Sequence, residues 1–113
     1  MGFFTRVPSV GPAQAADRLR NREAIVVDVR QPHEWKAGRI HGALHVPLST
    51  LSARIGGMPR DRTLITVCRS GHRSAIAARA LRRAGYEVEN LSGGMTRWKR
   101  EGLPLDPRNG RVL

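Results

Sequence analysis

Two apolar runs rich in β-branched residues, Ile25-Val26-Val27-Asp28-Val29 and Leu64-Ile65-Thr66-Val67, interrupt an otherwise mixed pattern of apolar and polar positions. Neither alternates as a half-exposed strand does, so each reads as a strand covered on both faces. Around them the spacing turns helical. A first helix starts near Pro12, a favoured residue at the first helical position, with Ala13, Ala16 and Leu19 on one face and Arg18 and Arg20 outside. Gln31-Pro32 opens a short helix over residues 31–37, Gly38 turns the chain, and Ala43-Leu44-His45-Val46 forms a short strand that Pro47 ends. Residues 48–56 predict another helix, with Ser49 or Thr50 as its cap and Gly56-Gly57 as its stop. Ile76, Ala77, Ala80, Leu81 and Ala84 then recur at helical spacing opposite Arg79, Arg82 and Arg83, and Gly85 closes that helix. Tyr86, Val88 and Leu91 suggest a final strand, after which Gly93-Gly94 leads into a short helix bearing Met95 and Trp98. From Leu103 onward, Pro104, Pro107 and Gly110 mark an irregular tail.

Strands and helices that alternate in this way predict an α/β domain, a mostly parallel central sheet flanked by helices on both faces. With 113 residues there is room for one core, so residues 1–113 read as a single domain, its core at about 8–104 and an irregular tail at 105–113. Aromatic residues are 4% of the chain, so that core must be built from aliphatic side chains.

The net charge of +11 changes the picture less than its size suggests. Lys36 and Lys99 are the only lysines among the 20 basic residues, and the arginines run from Arg6 to Arg111 without a dense block. A positive field concentrates small anions or an acidic partner, but an arginine-rich composition spread over solvated faces accounts for the same count. Aromatic stacking partners are scarce, which argues against nucleic acid as a partner. No stretch approaches transmembrane length, and Met1-Gly2-Phe3-Phe4-Thr5-Arg6 lacks both a signal-peptide and a myristoylation pattern. The expectation is a cytoplasmic protein without a membrane partner.

The chain has one cysteine, so it forms no internal disulfide and no cysteine-rich metal site. Cys68 follows a buried strand and precedes a helix, within Cys68-Arg69-Ser70-Gly71-His72-Arg73-Ser74. Ligands of parallel sheets bind beyond the carboxyl ends of strands, where the next helix offers unpaired N–H groups and the positive end of its dipole. That dipole and flanking arginines favour a thiolate, and the converging N–H groups form a nest for an anion. Free cysteines usually end as small buried hydrophobes. Here the polar residues after Cys68 cannot continue a strand, and Gly71 lets the backbone turn around the sulfur.

This segment resembles the active-site loop of the rhodanese family. Four further stretches agree in order: Val27-Asp28-Val29-Arg30; His33-Glu34-Trp35 through Gly38; Ile40-His41-Gly42-Ala43 through Pro47; and Leu91-Ser92-Gly93-Gly94 through Trp98. All of them fall, in the family's order, within residues 25–104. The resemblance implies a sulfurtransferase in which Cys68 takes sulfane sulfur from an anionic donor such as thiosulfate, carries it as a persulfide, and passes it to cyanide or a thiol. The acceptor thiol would be a small molecule or a thioredoxin-like protein. It further implies that loop N–H groups from Arg69 to Ser74 hold the persulfide, that Arg69 meets the donor, and that Arg73 holds the loop or the sulfur's charge. The loop from Cys68 to Arg73 has the family's six residues, whereas the related phosphatases carry one more. A cysteine-dependent phosphatase or arsenate reductase is thereby disfavoured, and a noncatalytic binding module stands as the other alternative.

Several residues have plainer readings. Asp28 ends a buried strand and calls for a structural ion pair, with Arg30 or Arg73 as partner. Arg30 lines the pocket or pairs with Glu34. His72 reads as solvent-facing, and His33, His41 and His45 lack a metal-ligand spacing, so neither metal nor cofactor is expected. Ser70 supports the loop or donor rather than acting as a nucleophile. Trp35 and Trp98 read as core packing. A monomer or weak dimer is the loose expectation for assembly.

Overall fold

The two β-branched runs lie side by side at the centre of the sheet. In the computed structural model, which describes residues 6–113, the elements are β1 (Ser9–Val10), α1 (Pro12–Arg20), β2 (Ala24–Asp28), α2 (Pro32–Ala37) and β3 (Leu44–His45), then α3 (Leu51–Arg54), β4 (Thr63–Val67), α4 (His72–Arg83), β5 (Val88–Leu91) and α5 (Gly94–Arg100). The strands form one five-stranded sheet in the order β1-β5-β4-β2-β3. Every pairing is parallel, with Ala24 to Asp28 of β2 in register with Thr63 to Val67 of β4.

Because side chains alternate across a strand, the sheet feeds two cores. Val27, Leu64 and Val88 pack on one side with Leu51 of α3 and Ala77, Ala78 and Leu81 of α4. Val26, Ile65, Val67 and Leu91 pack on the other with Ala15 and Ala16 of α1 and Met95 and Trp98 of α5. This is the α/β architecture the pattern predicts. The chain leaves β2 toward β3 on one flank and leaves β4 toward β5 on the other, so the strand order reverses between β2 and β4. At such a switch point a crevice opens beyond the carboxyl ends of the two strands. Arg30 and Cys68 both follow those strand ends closely in the chain.

The structure departs from the pattern in several places. β1 is a strand of two residues that the sequence does not announce; Ser9 and Val10 owe it to pairing with Asn90 and Leu91. Residues 48–56 do not form one helix: α3 is a single turn between 3₁₀ turns at Leu48–Thr50 and Ile55–Gly57. Ser49 and Thr50 make no side-chain cap there, and the Thr50 hydroxyl instead donates to the Pro47 carbonyl. Ala13 is exposed and Ala15 takes its place in the core. In α4 the buried face is Ser74, Ala77, Ala78 and Leu81, which leaves Ile76 and Ala84 exposed. Tyr86 precedes β5 instead of joining it, and its hydroxyl donates to the Ile55 carbonyl at 2.6 Å.

The tail is irregular but anchored. Arg39 and Asp106 exchange backbone hydrogen bonds, and Arg111 N–H donates to the Ala37 carbonyl at 2.8 Å. Gly38 makes this contact possible, since a Cβ there would lie 2.7 Å from the Arg111 carbonyl oxygen. The tail thereby ends at the carboxyl end of the sheet, beside the loop that carries Cys68, with the Leu113 carbonyl accepting from Arg69 Nε at 2.6 Å.

Candidate active site

β4 carries Cys68 into the crevice, and Gly71, at φ 115°, turns the chain back into α4. That left-handed conformation is open to glycine at little cost. The turn aims the start of α4 at the sulfur: Gly71 N–H donates to Cys68 Sγ at 3.1 Å, Ser74 N–H at 3.4 Å and the Ser74 hydroxyl at 3.3 Å. Cys68 is 1% exposed. Burial pushes its thiol up, but the Ser74 hydroxyl, then the N–H groups of Ser74, Gly71 and Ser70, outweigh it and set the thiol below the ordinary 9.0. Hydrogen bonds favour the thiolate here more than the flanking arginines that the sequence suggested.

Those arginines are otherwise engaged. Both terminal nitrogens of Arg73 donate to the Glu34 carboxylate at 2.8 Å, and Arg69 is held through Nε by Leu113. Arg73 keeps a smaller coulombic coupling to Cys68. Glu34 is 6% exposed and closes a capping box at the start of α2, accepting Gln31 N–H at 2.9 Å. The Arg73 hydrogen bonds outweigh burial and lower its pKa from 4.5 to about 2. Glu34 thereby ties α2 to the cysteine loop.

Asp28 takes Arg30, not Arg73, as partner. Both are fully buried, and the carboxylate accepts Arg30 Nη2 at 2.8 Å, Nε at 3.0 Å and the backbone N–H at 3.0 Å. Arg30 Nη2 also donates to the Gly38 carbonyl at 2.8 Å. Arg30 therefore neither pairs with Glu34 nor lies on an accessible pocket wall; it braces the crevice from below. His72 is exposed. Ser70 is exposed at the loop's crest. Trp98 is buried, but Trp35 is not a core residue: it stacks on His45 at 4.5 Å between ring centroids, and His45 Nε2 bonds the Arg30 carbonyl at 2.8 Å.

A contribution from α5 escaped the sequence reading. Met95 and Thr96 N–H donate to the Cys68 and Arg69 carbonyls at 2.9 and 3.0 Å, so the start of α5 holds the loop from behind. Gly94, at φ 57°, permits it, because a Cβ there would fall 2.5 Å from the Cys68 carbonyl oxygen and 2.6 Å from that of Arg69. Gly94→Ala is expected to cost about 2 kcal/mol in backbone strain alone. The loop must also retreat, so activity should fall further than stability. Urea unfolding beside a sulfur-transfer assay checks this, and an unchanged loop activity would contradict it.

An apolar groove of about 350 Å³ lies beside α1 and α5, lined by Ala16, Leu19, Trp98 and Leu103 among others, and none of its lining residues belongs to the cysteine loop. Among the described residues no group of three or more His, Cys, Asp or Glu comes together as a metal site. No helix among them is long and apolar enough to cross a membrane.

Comparison with known proteins decides the family. The description "Rhodanese-like domain" matches residues 11–101. The chain belongs to the rhodanese-like domain family. A sulfurtransferase of Allochromatium vinosum is 38% identical over 88% of this chain and 94% of its own length. The thiosulfate sulfurtransferase GlpE of Stutzerimonas stutzeri is 38% identical over 88% of each. An HTH-type transcriptional regulator of Mycobacterium tuberculosis is 40% identical over 80% of this chain, which spans only 42% of that longer protein. Among solved structures, a rhodanese-related protein of Thermoplasma volcanium superposes with a TM-score of 0.82 at 30% identity, over 87% of this chain and 96% of that one. These relatives support a rhodanese-type, sulfurtransferase activity for this domain.

Two consequences of the site's electrostatics are measurable. Removing the Ser74 hydroxyl with Ser74→Ala should raise the Cys68 thiol toward its ordinary value and slow iodoacetamide alkylation at pH 7 about fivefold. A pH profile of alkylation identical to the parent's would exclude the hydroxyl as a thiolate donor. For Glu34 the folded-state pKa is depressed, so the ion pair stabilises the fold fully above about pH 4.5 and loses its effect as pH falls toward 2. Urea unfolding from pH 7 to pH 3 should show the parent's advantage over Glu34→Gln, on the order of 2 kcal/mol, shrinking below pH 4.5. A constant difference would mean the pair does not carry it.

Proposed function

We propose that this domain is a thiosulfate-type sulfurtransferase that works through a persulfide on Cys68. The observation that carries the reading is the convergence of Gly71 N–H, Ser74 N–H and the Ser74 hydroxyl on one buried sulfur. Such preorganised donors stabilise an anionic sulfur without reorganising during reaction. In the first half-reaction the Cys68 thiolate attacks the sulfane sulfur of thiosulfate. A bond forms between Sγ and that sulfur, the donor's S–S bond breaks, and sulfite leaves with the electron pair. In the second, cyanide or an acceptor thiolate attacks the terminal sulfur, and the pair returns to Sγ. No net oxidation occurs, and the enzyme is regenerated as thiolate.

Arg69 has further N–H groups besides the Nε held by Leu113, and these meet the anionic donor at the mouth. Arg73, fixed by Glu34, keeps a positive charge beside the loop. The test is intact mass after incubation with thiosulfate, then thiocyanate release on adding cyanide. A gain of one sulfur that cyanide removes supports the cycle. A protein that gains none and yields no thiocyanate has another donor or another function.

A further inference from the structure

Two large hydrophobic side chains stand exposed on the described surface, Ile76 and Leu113, each 41% exposed. Both adjoin the cysteine loop. Ile76 lies one turn beyond His72 on α4, the helix whose first residues close the loop around the sulfur. Leu113 holds Arg69 of the loop through its carbonyl. Its position is fixed from behind, since Val112 packs against the α1 and α5 core and Arg111 is bonded to Ala37. Ile76 thus stands one turn along α4 from the loop, and the Leu113 backbone is bonded to the loop itself.

Charge around them is one-sided. His72, Ile76, Arg79 and Arg83 recur at i, i+4, i+7 and i+11, so they form one stripe along the outer face of α4, and all four are exposed. α4 contains no acidic residue. Arg79, Arg82 and Arg83 make no ion pair among the described residues, whereas the carboxylates nearest the loop, Glu34 and Asp28, are buried and taken by Arg73 and Arg30. An apolar side chain framed by arginines that make no ion pair, on a helix without acidic residues, is a composition that protein-binding surfaces share. No aromatic side chain lies in the stripe, so it lacks the stacking platforms that nucleic acid would use.

We infer that this face docks an acidic protein that presents a thiol to Cys68, with Ile76 and Leu113 as the apolar contacts and Arg79 and Arg83 as the charged rim. The docking surface rests on the observations above; the thiol as cargo rests on the sulfurtransferase reading. Cys68 is 1% exposed, so an acceptor thiol must be positioned at the loop mouth, and a docking surface beside the loop supplies that positioning.

The probe is a glutamate-rich peptide carrying one leucine and one cysteine, with two companions: its lysine-for-glutamate counterpart and its serine-for-cysteine counterpart. Binding of the serine peptide to the full chain is read by fluorescence anisotropy, and discharge of the Cys68 persulfide to the cysteine peptide by mass. The acidic peptide should bind and discharge at least about tenfold better than the lysine peptide at low salt, and lose that advantage at high salt. Combining Ile76→Ser with Arg79→Glu and Arg83→Glu should lower peptide binding and discharge about tenfold. Discharge to cyanide should not change. Arg22→Glu with Arg100→Glu, off the α4 stripe and equal to the α4 set in charge change alone, should change peptide binding by less than about twofold. Equal losses from the two sets of reversals, or no loss from the α4 set, would overturn the docking surface. An oligonucleotide of equal charge that binds the same stripe more tightly would overturn the acidic-protein assignment. If the parent passes no sulfur even to cyanide, the sulfurtransferase reading fails separately, and the anisotropy arm still decides the surface.

Discussion

Cys68→Ser is expected to lower thiocyanate formation from thiosulfate and cyanide by at least about a thousandfold, with melting temperature moved by only about 4 °C. The two halves of this expectation have separate causes. A serine oxygen is a poor nucleophile because its hydroxyl stays protonated near neutral pH, and it cannot carry sulfane sulfur as a persulfide does. The fold, in contrast, loses little. Gly71 N–H, Ser74 N–H and the Ser74 hydroxyl already point at the Sγ position and have an oxygen to bond when sulfur is replaced. The buried polar group is therefore not left unsatisfied, which is the condition under which such a substitution becomes costly. Steady-state thiocyanate assays and intact mass after thiosulfate should show neither product nor sulfur gain. Residual turnover above one part in a hundred would place the nucleophile elsewhere, and a collapsed melting curve would mean that the thiol is a structural hydrophobe.

How much of this site a reader can take from sequence depends on the range of the interaction. β2 and β4 are legible because a strand covered on both faces has no reason to alternate, and Ile25-Val26-Val27 and Leu64-Ile65 do not. The cysteine loop is legible because a buried strand that turns abruptly polar around a glycine must leave the core. Partner choice among arginines is harder, with 20 basic residues for nine acidic ones. One local signal was available: Asp28 and Arg30 are two apart in an extended chain, so their side chains share a face. The Glu34–Arg73 pair spans 39 positions and leaves no such trace. The phase of α4 is set by Ser74, which must face Cys68 Sγ; Ala77, Ala78 and Leu81 follow it inward and Ile76 rotates out. Apolar spacing alone admitted both phases. β1 and the tail depend on backbone pairing with Asn90, Leu91, Ala37 and Arg39, which side-chain composition does not report.

The ion pair beneath the crevice shows what that local signal controls. Asp28→Ala should destabilise the fold by about 3–5 kcal/mol, since it leaves a buried guanidinium without its counter-charge. For a domain whose whole stability is of order 5–15 kcal/mol, the melting temperature should fall on the order of 15 °C. Arg30 is fully buried and Nη1 already has no hydrogen-bond partner among the described residues, so the pair has no spare acceptor to turn to. The backbone suffers as well, because Asp28 Oδ1 accepts Arg30 N–H where the chain leaves β2. Replacing both partners by apolar residues of similar volume, Asp28→Leu with Arg30→Met, should recover most of the loss, as buried pairs often exchange for hydrocarbon without net cost. The Gly38 carbonyl would then lose its donor, so recovery should stop short of the parent by about 1 kcal/mol. Thermal and urea unfolding of the two variants decide the matter: a double variant no more stable than Asp28→Ala would mean that the carboxylate acts on the backbone, and not chiefly as the counter-charge of Arg30.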